Sequence, residues 1–426
     1  MVSRKMNHPN FAPFNFNGLL HATVFLLILA AHLHLVSAID CATITTCTPT
    51  AGFYTYKYGP SFVNSDGYEN QVGDLYLPNN TNGSPIPTVV LIHGGYWYDQ
   101  YRRSSTNGSD MRPLAIDLQS RGYAVVNLEY RRASNLYTNG EGRVPGTLND
   151  IANGIDALSC QTELQTLCGF SESLDLQKVA VVGHSAGGHL ALWSALRSAI
   201  GSNSYGINTS PPAVQPIAAV GLAAVSDMNG CSDGTASGSA IRNLHGGVSS
   251  CAEVVPYNNY VSPRQMLTLL NPMTVDVAFY LSHGSSDTTV SPVQSTRFKA
   301  DADNLLFTTA EPSTFDTFSG EDHFDVIDPN SLSWKNGVIP FLDNILTGCS
   351  SNEECDDGLA CNGLELCDFG TLTCFTDPGT VCKLYICMYL LLIFYAISLL
   401  FSNPFVYVFP FTFTQLTRKS ERMLWQ

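Results

Sequence analysis

Residues 179–192, VAVVGHSAGGHLAL, set one serine among small residues and between two histidines. Gly183-His184-Ser185-Ala186-Gly187 satisfies G-x-S-x-G, with an apolar strand-like run before it and helix-like spacing after it. In that setting the serine occupies a sharp, strained turn that projects its hydroxyl from the end of a sheet. Gly183 and Gly187 are the supporting residues, because larger side chains there would meet the adjoining strand and helix. A helix starting at Ala186 directs free amide groups and the positive end of its dipole toward a carbonyl approaching the serine. The chemistry that suits such a residue is nucleophilic attack with a covalent acyl intermediate. Alone, the pattern also fits a small-residue turn that packs a helix onto a sheet.

His93-Gly94-Gly95-Tyr96-Trp97 follows a second apolar run, TVVLI. Acyl transfer places negative charge on the carbonyl oxygen, and one preorganised backbone donor to it is worth about 3 kcal/mol. Gly95, Tyr96 and Ala186 are the expected donors. Gly94 shapes the turn and His93 braces it. Trp97 and Tyr98 are expected to pack rather than react.

A serine hydroxyl needs a proton acceptor within hydrogen-bond reach. His184 is expected to point away from the serine by strand alternation, and His189 is held inside the following helix. In this architecture the chain order is Ser, then Asp or Glu, then His. His8, His21, His32 and His34 fall in the N-terminal leader, His245 in an irregular segment, and His283 before the acid on its own strand. His323, in the polar loop SGEDHFDVID, remains as the base. Asp287 in HGSSDTTVSP, just past a strand-like run, is the expected acid, with Asp227 as its rival. Asp322 and Asp325 are too close to His323 in sequence to serve easily.

The elements that must position these residues alternate from about residue 53 to 348. Runs at 88–95, 123–130, 178–185, 216–226 and 277–284 lack polar alternation and read as strands buried on both faces. Residues 146–159 and 186–200 have helical spacing. The pattern predicts an α/β fold, a mostly parallel central sheet flanked by helices, with its site at the carboxyl ends of the strands. Residues 228–275 read as an insertion over the sheet's edge, a candidate substrate-shaping cap.

At pH 7 the 426-residue chain carries a formal net charge of −15, which excludes nucleic acid as a natural partner. Arg4 and Lys5 precede an uncharged run ending in Val36-Ser37-Ala38. Residues 1–38 are therefore expected to be a signal peptide, the alternative being an uncleaved anchor. Entry to the secretory pathway suits the 13 cysteines. Cys41/Cys47, Cys160/Cys168 and Cys231/Cys251 are local pairs in sequence, but spacing leaves their connectivity open. Sequons begin at Asn79, Asn82, Asn107 and Asn208.

Residues 39–348 are the expected catalytic domain. Residues 349–382 hold six cysteines and almost no apolar core, and read as a disulfide-stapled module that could engage an extracellular partner. No C-x-x-C pair or His supports zinc there. Residues 384–409 are a candidate membrane span, followed by the tail 410–426 with Arg418, Lys419 and Arg422, which would make the protein membrane-tethered. The alternative is a misassigned end of the gene.

The combination of HGGYW, GHSAGGHLA, HG-x-x-D and HFDVI resembles the α/β-hydrolase superfamily over residues 70–345. Within it the chain is similar to the esterase branch with kynurenine-formamidase-like and feruloyl- or acetyl-esterase-like (BD-FAE-type) enzymes. The resemblance implies Ser185, Asp287 and His323 as nucleophile, acid and base, and Gly95, Tyr96 and Ala186 as oxyanion hole. It implies a small-molecule ester substrate and no metal or organic cofactor. An arylformamidase is the alternative within that chemistry. A catalytically silent surface-adhesion protein is the alternative outside it.

Overall fold

The apolar runs without polar alternation are strands buried on both faces. The computed structural model describes residues 40–60, 68–79, 83–104, 109–133, 142–200, 203–208, 210–269, 277–304 and 313–347, and the backbone alone of 364–368 and 373–377. Three strands come first: β1 (Cys47–Thr50), β2 (Phe53–Lys57) and β3 (Val72–Tyr76). Six follow: β4 (Ile86–Ile92), β5 (Ala124–Leu128), β6 (Leu174–His184), β7 (Ala218–Leu222), β8 (Ala278–Gly284) and β9 (Thr314–Phe318). Among the described residues they form one nine-stranded sheet, ordered β1-β2-β3-β5-β4-β6-β7-β8-β9. Strands β5, β4, β6, β7, β8 and β9 pair in parallel, and β1 to β3 join antiparallel at one edge.

Successive strand residues face opposite cores. Val90, Ile92, Val126, Leu128, Val179 and Val181 point into one, together with helices α2 (Gly146–Asp156) and α4 (Ala186–Leu196). Val89, Leu91, Val125, Ala180, Val182 and Val220 point into the other, under α1 (Arg112–Ser120) and the C-terminal helix α7 (Ile339–Thr347). The remaining labelled helices are α3 (Gln161–Cys168), α5 (Gly238–Leu244) and α6 (Val293–Asp303).

Strands β1 to β3 go beyond the sequence reading. Every residue of β3 is buried although it contains Asp74. The Asp74 carboxylate is bound by Arg103 through Nε at 2.8 Å and Nη2 at 3.1 Å, which offsets the cost of burying the charge.

The insertion between β7 and β8 also differs from expectation. The two strands that it joins are interior to the sheet rather than edge strands. It packs on α4, where Trp193 Nε1 donates to the Tyr260 carbonyl at 2.9 Å and His189 Nε2 to the Val261 carbonyl at 2.7 Å. Cys231–Cys251 closes this segment as the local pair implied.

The other two local pairs are not disulfides. Cys41 joins Cys160 and Cys47 joins Cys168, across sequence separations of 119 and 121 residues. The physical reason is α3. Cys160 caps its start and Cys168 ends it, so the helix holds them roughly 12 Å apart, beyond disulfide reach. The two links instead fasten the N-terminal segment to α3.

The chain divides into two compact units, Met1–Ser350 and Ser351–Gln426. The described part of the second is an antiparallel hairpin of Leu364–Asp368 with Thr373–Asp377, in which Cys367 lies opposite Cys374. No helix among the described residues is long and apolar enough to cross a membrane. The expected leader 1–38, the candidate span 384–409, the tail 410–426 and the remaining cysteines of 349–382 lie outside the described residues. Sequon residue Asn79 is exposed and Asn208 half-buried, whereas Asn82 and Asn107 lie outside the described residues.

Peptide mapping without reductant is expected to recover Cys41–Cys160 and Cys47–Cys168 cross-links. Joint replacement of Cys47 and Cys168 by serine should lower unfolding free energy by about 2–4 kcal/mol in denaturant titration. A Cys41–Cys47 link would contradict this fold.

Candidate active site

Ser185 stands between the last residue of β6 and the first of α4, with φ 55° and ψ −116°. A non-glycine residue there carries strain on the order of 1–3 kcal/mol. The surroundings hold it in place. Its N–H donates to the Leu222 carbonyl at 2.8 Å, and its carbonyl accepts from His189 and Val225 at 3.1 and 3.2 Å. A Cβ on Gly183 would lie 2.1 Å from the Gly187 carbonyl oxygen, and one on Gly187 would lie 2.1 Å from that of Ile92. Only glycine lets α4 begin this close to β4 and β6.

The structure brings Ser185, His323 and Asp287 together. His323 Nε2 is 3.0 Å from Ser185 Oγ, and His323 Nδ1 is 2.7 Å from Asp287 Oδ2. A carboxylate can only accept, so Nδ1 carries the proton and Nε2 faces the hydroxyl with its lone pair. Asp287 follows β8, and its Oδ1 accepts from the amides of Thr289 and Val290 at 2.8 and 2.9 Å. Burial would raise its pKa. Hydrogen bonds from His283 and His323, the charge on His323 and the Val290 amide outweigh that and hold it well below the usual carboxylate range.

His283 is a contact that sequence reasoning missed. Its Nε2 lies 2.9 Å from the Val290 carbonyl and 3.2 Å from Asp287 Oδ2, and its Nδ1 lies 2.9 Å from Ser295 Oγ. The carbonyl places the proton on Nε2, so a second imidazole N–H faces the acid. The signal was present in HG-x-x-D, which sets His283 at the end of β8 four residues before Asp287.

The rival acid is engaged elsewhere. Asp227 is fully buried, 2.8 Å from Arg264 Nη1 and 3.1 Å from Gln265 Nε2, so it anchors the insertion. Asp322 and Asp325 make local turn bonds to backbone amides.

His93-Gly94-Gly95-Tyr96-Trp97 lies against the serine. A Cβ on Gly94 would be 3.1 Å from Ser185 Cβ. Gly95, Tyr96 and Trp97 all have positive φ, at 108°, 57° and 55°. Among the described residues no acceptor takes the N–H of Gly95, Tyr96 or Ala186. Trp97 is buried as expected, with its ring edge-on to His189.

His93 Nδ1 is 2.8 Å from the Gly94 carbonyl and Nε2 is 3.0 Å from Glu129 Oε1. Its ring stacks on Tyr130, whose hydroxyl donates to the His93 carbonyl at 2.8 Å. Glu129 also accepts from Arg132 and from the Arg103 amide. Sequence reasoning missed this buried support. Its trace is the charged run Glu129-Tyr130-Arg131-Arg132 directly after β5.

His184 is placed differently from the expectation. Its ring does not turn away from the site but lies 4.8 Å from the His323 ring, and its Nε2 is 2.8 Å from the His323 carbonyl oxygen. Burial first, then the charge of His323, pushes its pKa down to about 3. His189 is likewise lowered to about 3, chiefly by burial.

A mostly parallel sheet with helices on both faces and a serine at a strand-to-helix turn defines the α/β-hydrolase fold. Residues 73–301, more than half of the chain, match the BD-FAE family, and the chain belongs to that family. Among solved structures, esterase B from Lactobacillus rhamnosis is similar at 20% identity and TM-score 0.50, covering 77% of this chain and 95% of that one. A structure of that esterase with a C4-C4 SN3 tributyrin phosphonate aligns at 19% identity and TM-score 0.51, covering 78% and 96%.

Sequence relatives match over shorter stretches. Non-reducing polyketide synthase pkbA of Emericella nidulans is 31% identical over 127 residues, 29% of this chain and 5% of that one. A probable isoprenylcysteine alpha-carbonyl methylesterase, ICMEL1, of Arabidopsis thaliana is 27% identical over 173 residues, 40% of this chain and 32% of that one. The aligned part of the chain thus spans only 5% to 32% of these relatives' lengths.

His93, His184, His189 and His245 all have pKa values lowered by burial. Each is neutral when folded and takes up a proton on unfolding below its free value near 6.5. Their stabilisation is therefore complete above about pH 6.5 and is lost as pH falls toward about 3, the value of His184 and His189. Asp287 adds a further loss below the ordinary carboxylate range. Urea titrations between pH 7 and 4 should show roughly two to four protons taken up per unfolding event near pH 5. A flat unfolding free energy over that interval would contradict these assignments.

Proposed function

We propose that the chain is a serine hydrolase that cleaves carboxylic esters through an acyl-enzyme. The observation that carries this reading is the linked pair of hydrogen bonds from His323, 3.0 Å to Ser185 Oγ and 2.7 Å to Asp287 Oδ2. Three residues from three separate loops meet in the order that proton transfer needs. Membership of the BD-FAE family and the esterase fold support the same chemistry.

In this mechanism His323 Nε2 takes the Ser185 proton as Oγ bonds to the ester carbonyl carbon. Asp287, held anionic, keeps the imidazole in the right tautomer and stabilises the imidazolium. The N–H groups of Gly95, Tyr96 and Ala186 receive the oxyanion. The imidazolium then protonates the departing alcohol, leaving the acyl group on Ser185. Water attacks this ester with His323 again as base, and the acid leaves as Ser185 regains its proton. Every proton moves between Ser185, His323, substrate and water. The disulfides support an oxidising, secretory location for this activity.

Ser185→Ala is expected to reduce hydrolysis of a short p-nitrophenyl ester by on the order of 10⁴–10⁶. A fluorophosphonate probe should label the natural protein at Ser185 and leave the variant unlabelled. Retained turnover in Ser185→Ala would refute the mechanism, and failure to label Ser185 would favour an adhesion protein on a hydrolase fold. Asp287→Asn should lose about 10⁴ in kcat, whereas Asp227→Asn should chiefly lose stability. The reverse pattern would transfer the acid's role to Asp227.

A further inference from the structure

Ser185 has a histidine beside it that is not its base. His184 ends β6, paired in register with Leu222 of β7, and its neighbour is the serine itself. Its Nε2 reaches 139 residues along the chain to the carbonyl oxygen of His323, at 2.8 Å. Among the described residues no other hydrogen bond reaches the His323 main chain.

We propose that His184 is a positioning residue, whose Nε2–H ties the peptide of the base to the strand end that carries the nucleophile. The inference rests on the assignment of Ser185 and His323 given above.

The geometry supports this in three ways. First, a carbonyl oxygen only accepts, so the His184 proton is on Nε2 and the bond has a definite polarity. Second, the tie is short in structural terms. The serine and the clamp are adjacent residues of one strand-to-helix junction, so any shift of the base loop relative to Ser185 must stretch this bond. The backbone of the His323 loop is otherwise held at Glu321, two residues before the histidine. Ser286 donates to the Glu321 carbonyl, and the Glu321 side chain accepts from the amides of Leu332 and Ser333. Third, His184 is buried and packs against the rings of His323 and Phe324, at 4.8 and 6.0 Å. The other titratable groups that act on it are Asp287 and His283. Burial keeps His184 neutral, so it does not oppose the charge that forms on His323 during catalysis.

A misplacement of about 1 Å in a reacting group can cost about a hundredfold in rate. The test compares His184→Leu, His184→Asn and His184→Gln. The glutamine amide nitrogen reaches roughly the place of the imidazole Nε2, whereas the asparagine nitrogen reaches only that of Nδ1. Turnover of p-nitrophenyl acetate is measured per fluorophosphonate-labelled site, so that unfolded protein does not count.

His184→Leu and His184→Asn are expected to lose roughly ten- to a hundredfold in kcat, with KM within about twofold. His184→Gln should stay within about threefold of the natural protein. Natural kcat per labelled site in His184→Leu would overturn the inference, as would equal losses in His184→Gln and His184→Asn. Ser185→Ala, run in parallel, separates the two levels. An active Ser185→Ala overturns the mechanism itself, while an inactive one beside fully active His184 variants overturns only the clamp.

Discussion

The structure turns on one steric constraint, the absence of room around the strand-to-helix junction at residue 185. A Cβ on Gly183 or Gly187 would fall 2.1 Å from a backbone oxygen of α4 or β4. That close approach is what holds Ser185 at a φ of 55°, a conformation it would not otherwise keep. The strain is small beside the burial energy of two cores, and it leaves the hydroxyl clear of both strand and helix. The loop at Gly94 and Gly95 can then lie against the serine because its own glycines allow it.

Around that junction the electrostatics are arranged by burial. Asp287 remains charged because its oxygens accept from two amides and two imidazoles. His93, His184 and His189 remain neutral because each is fully desolvated. His184 and His189 each also meet one carbonyl oxygen, which fixes a tautomer without adding charge. A single ring, His323, is left with a lone pair facing the serine. The site therefore separates one imidazole that faces the hydroxyl from several that meet carbonyl oxygens.

The periphery is fastened by covalent and ionic links in addition to strand pairing. Cys41–Cys160 and Cys47–Cys168 secure the antiparallel edge to α3. Asp227 with Arg264 and Gln265 secures the insertion to the end of β7. The insertion also buries Ile241, Leu244, Val261 and Met266 in the core, so these links add to apolar packing rather than replace it.

The sequence by itself determined the strands β4 to β8, because parallel strands covered on both faces must be continuous apolar runs. It also determined the fold class, and chain order together with the placement of the other nine histidines left His323 as the expected base. Those features depend on local composition or on the order of elements. Strands β1 to β3 were not legible, since Asp74 becomes tolerable in a buried strand only once Arg103 reaches it from another segment. The disulfide partners were hidden for the same reason, although the length of α3 already forbids a Cys160–Cys168 link. The orientation of His184 was misjudged, because strand alternation does not record which loop will come to rest on the strand's end. Contacts between segments 29 to 139 residues apart carry no periodic signal, so only the tertiary structure could decide them.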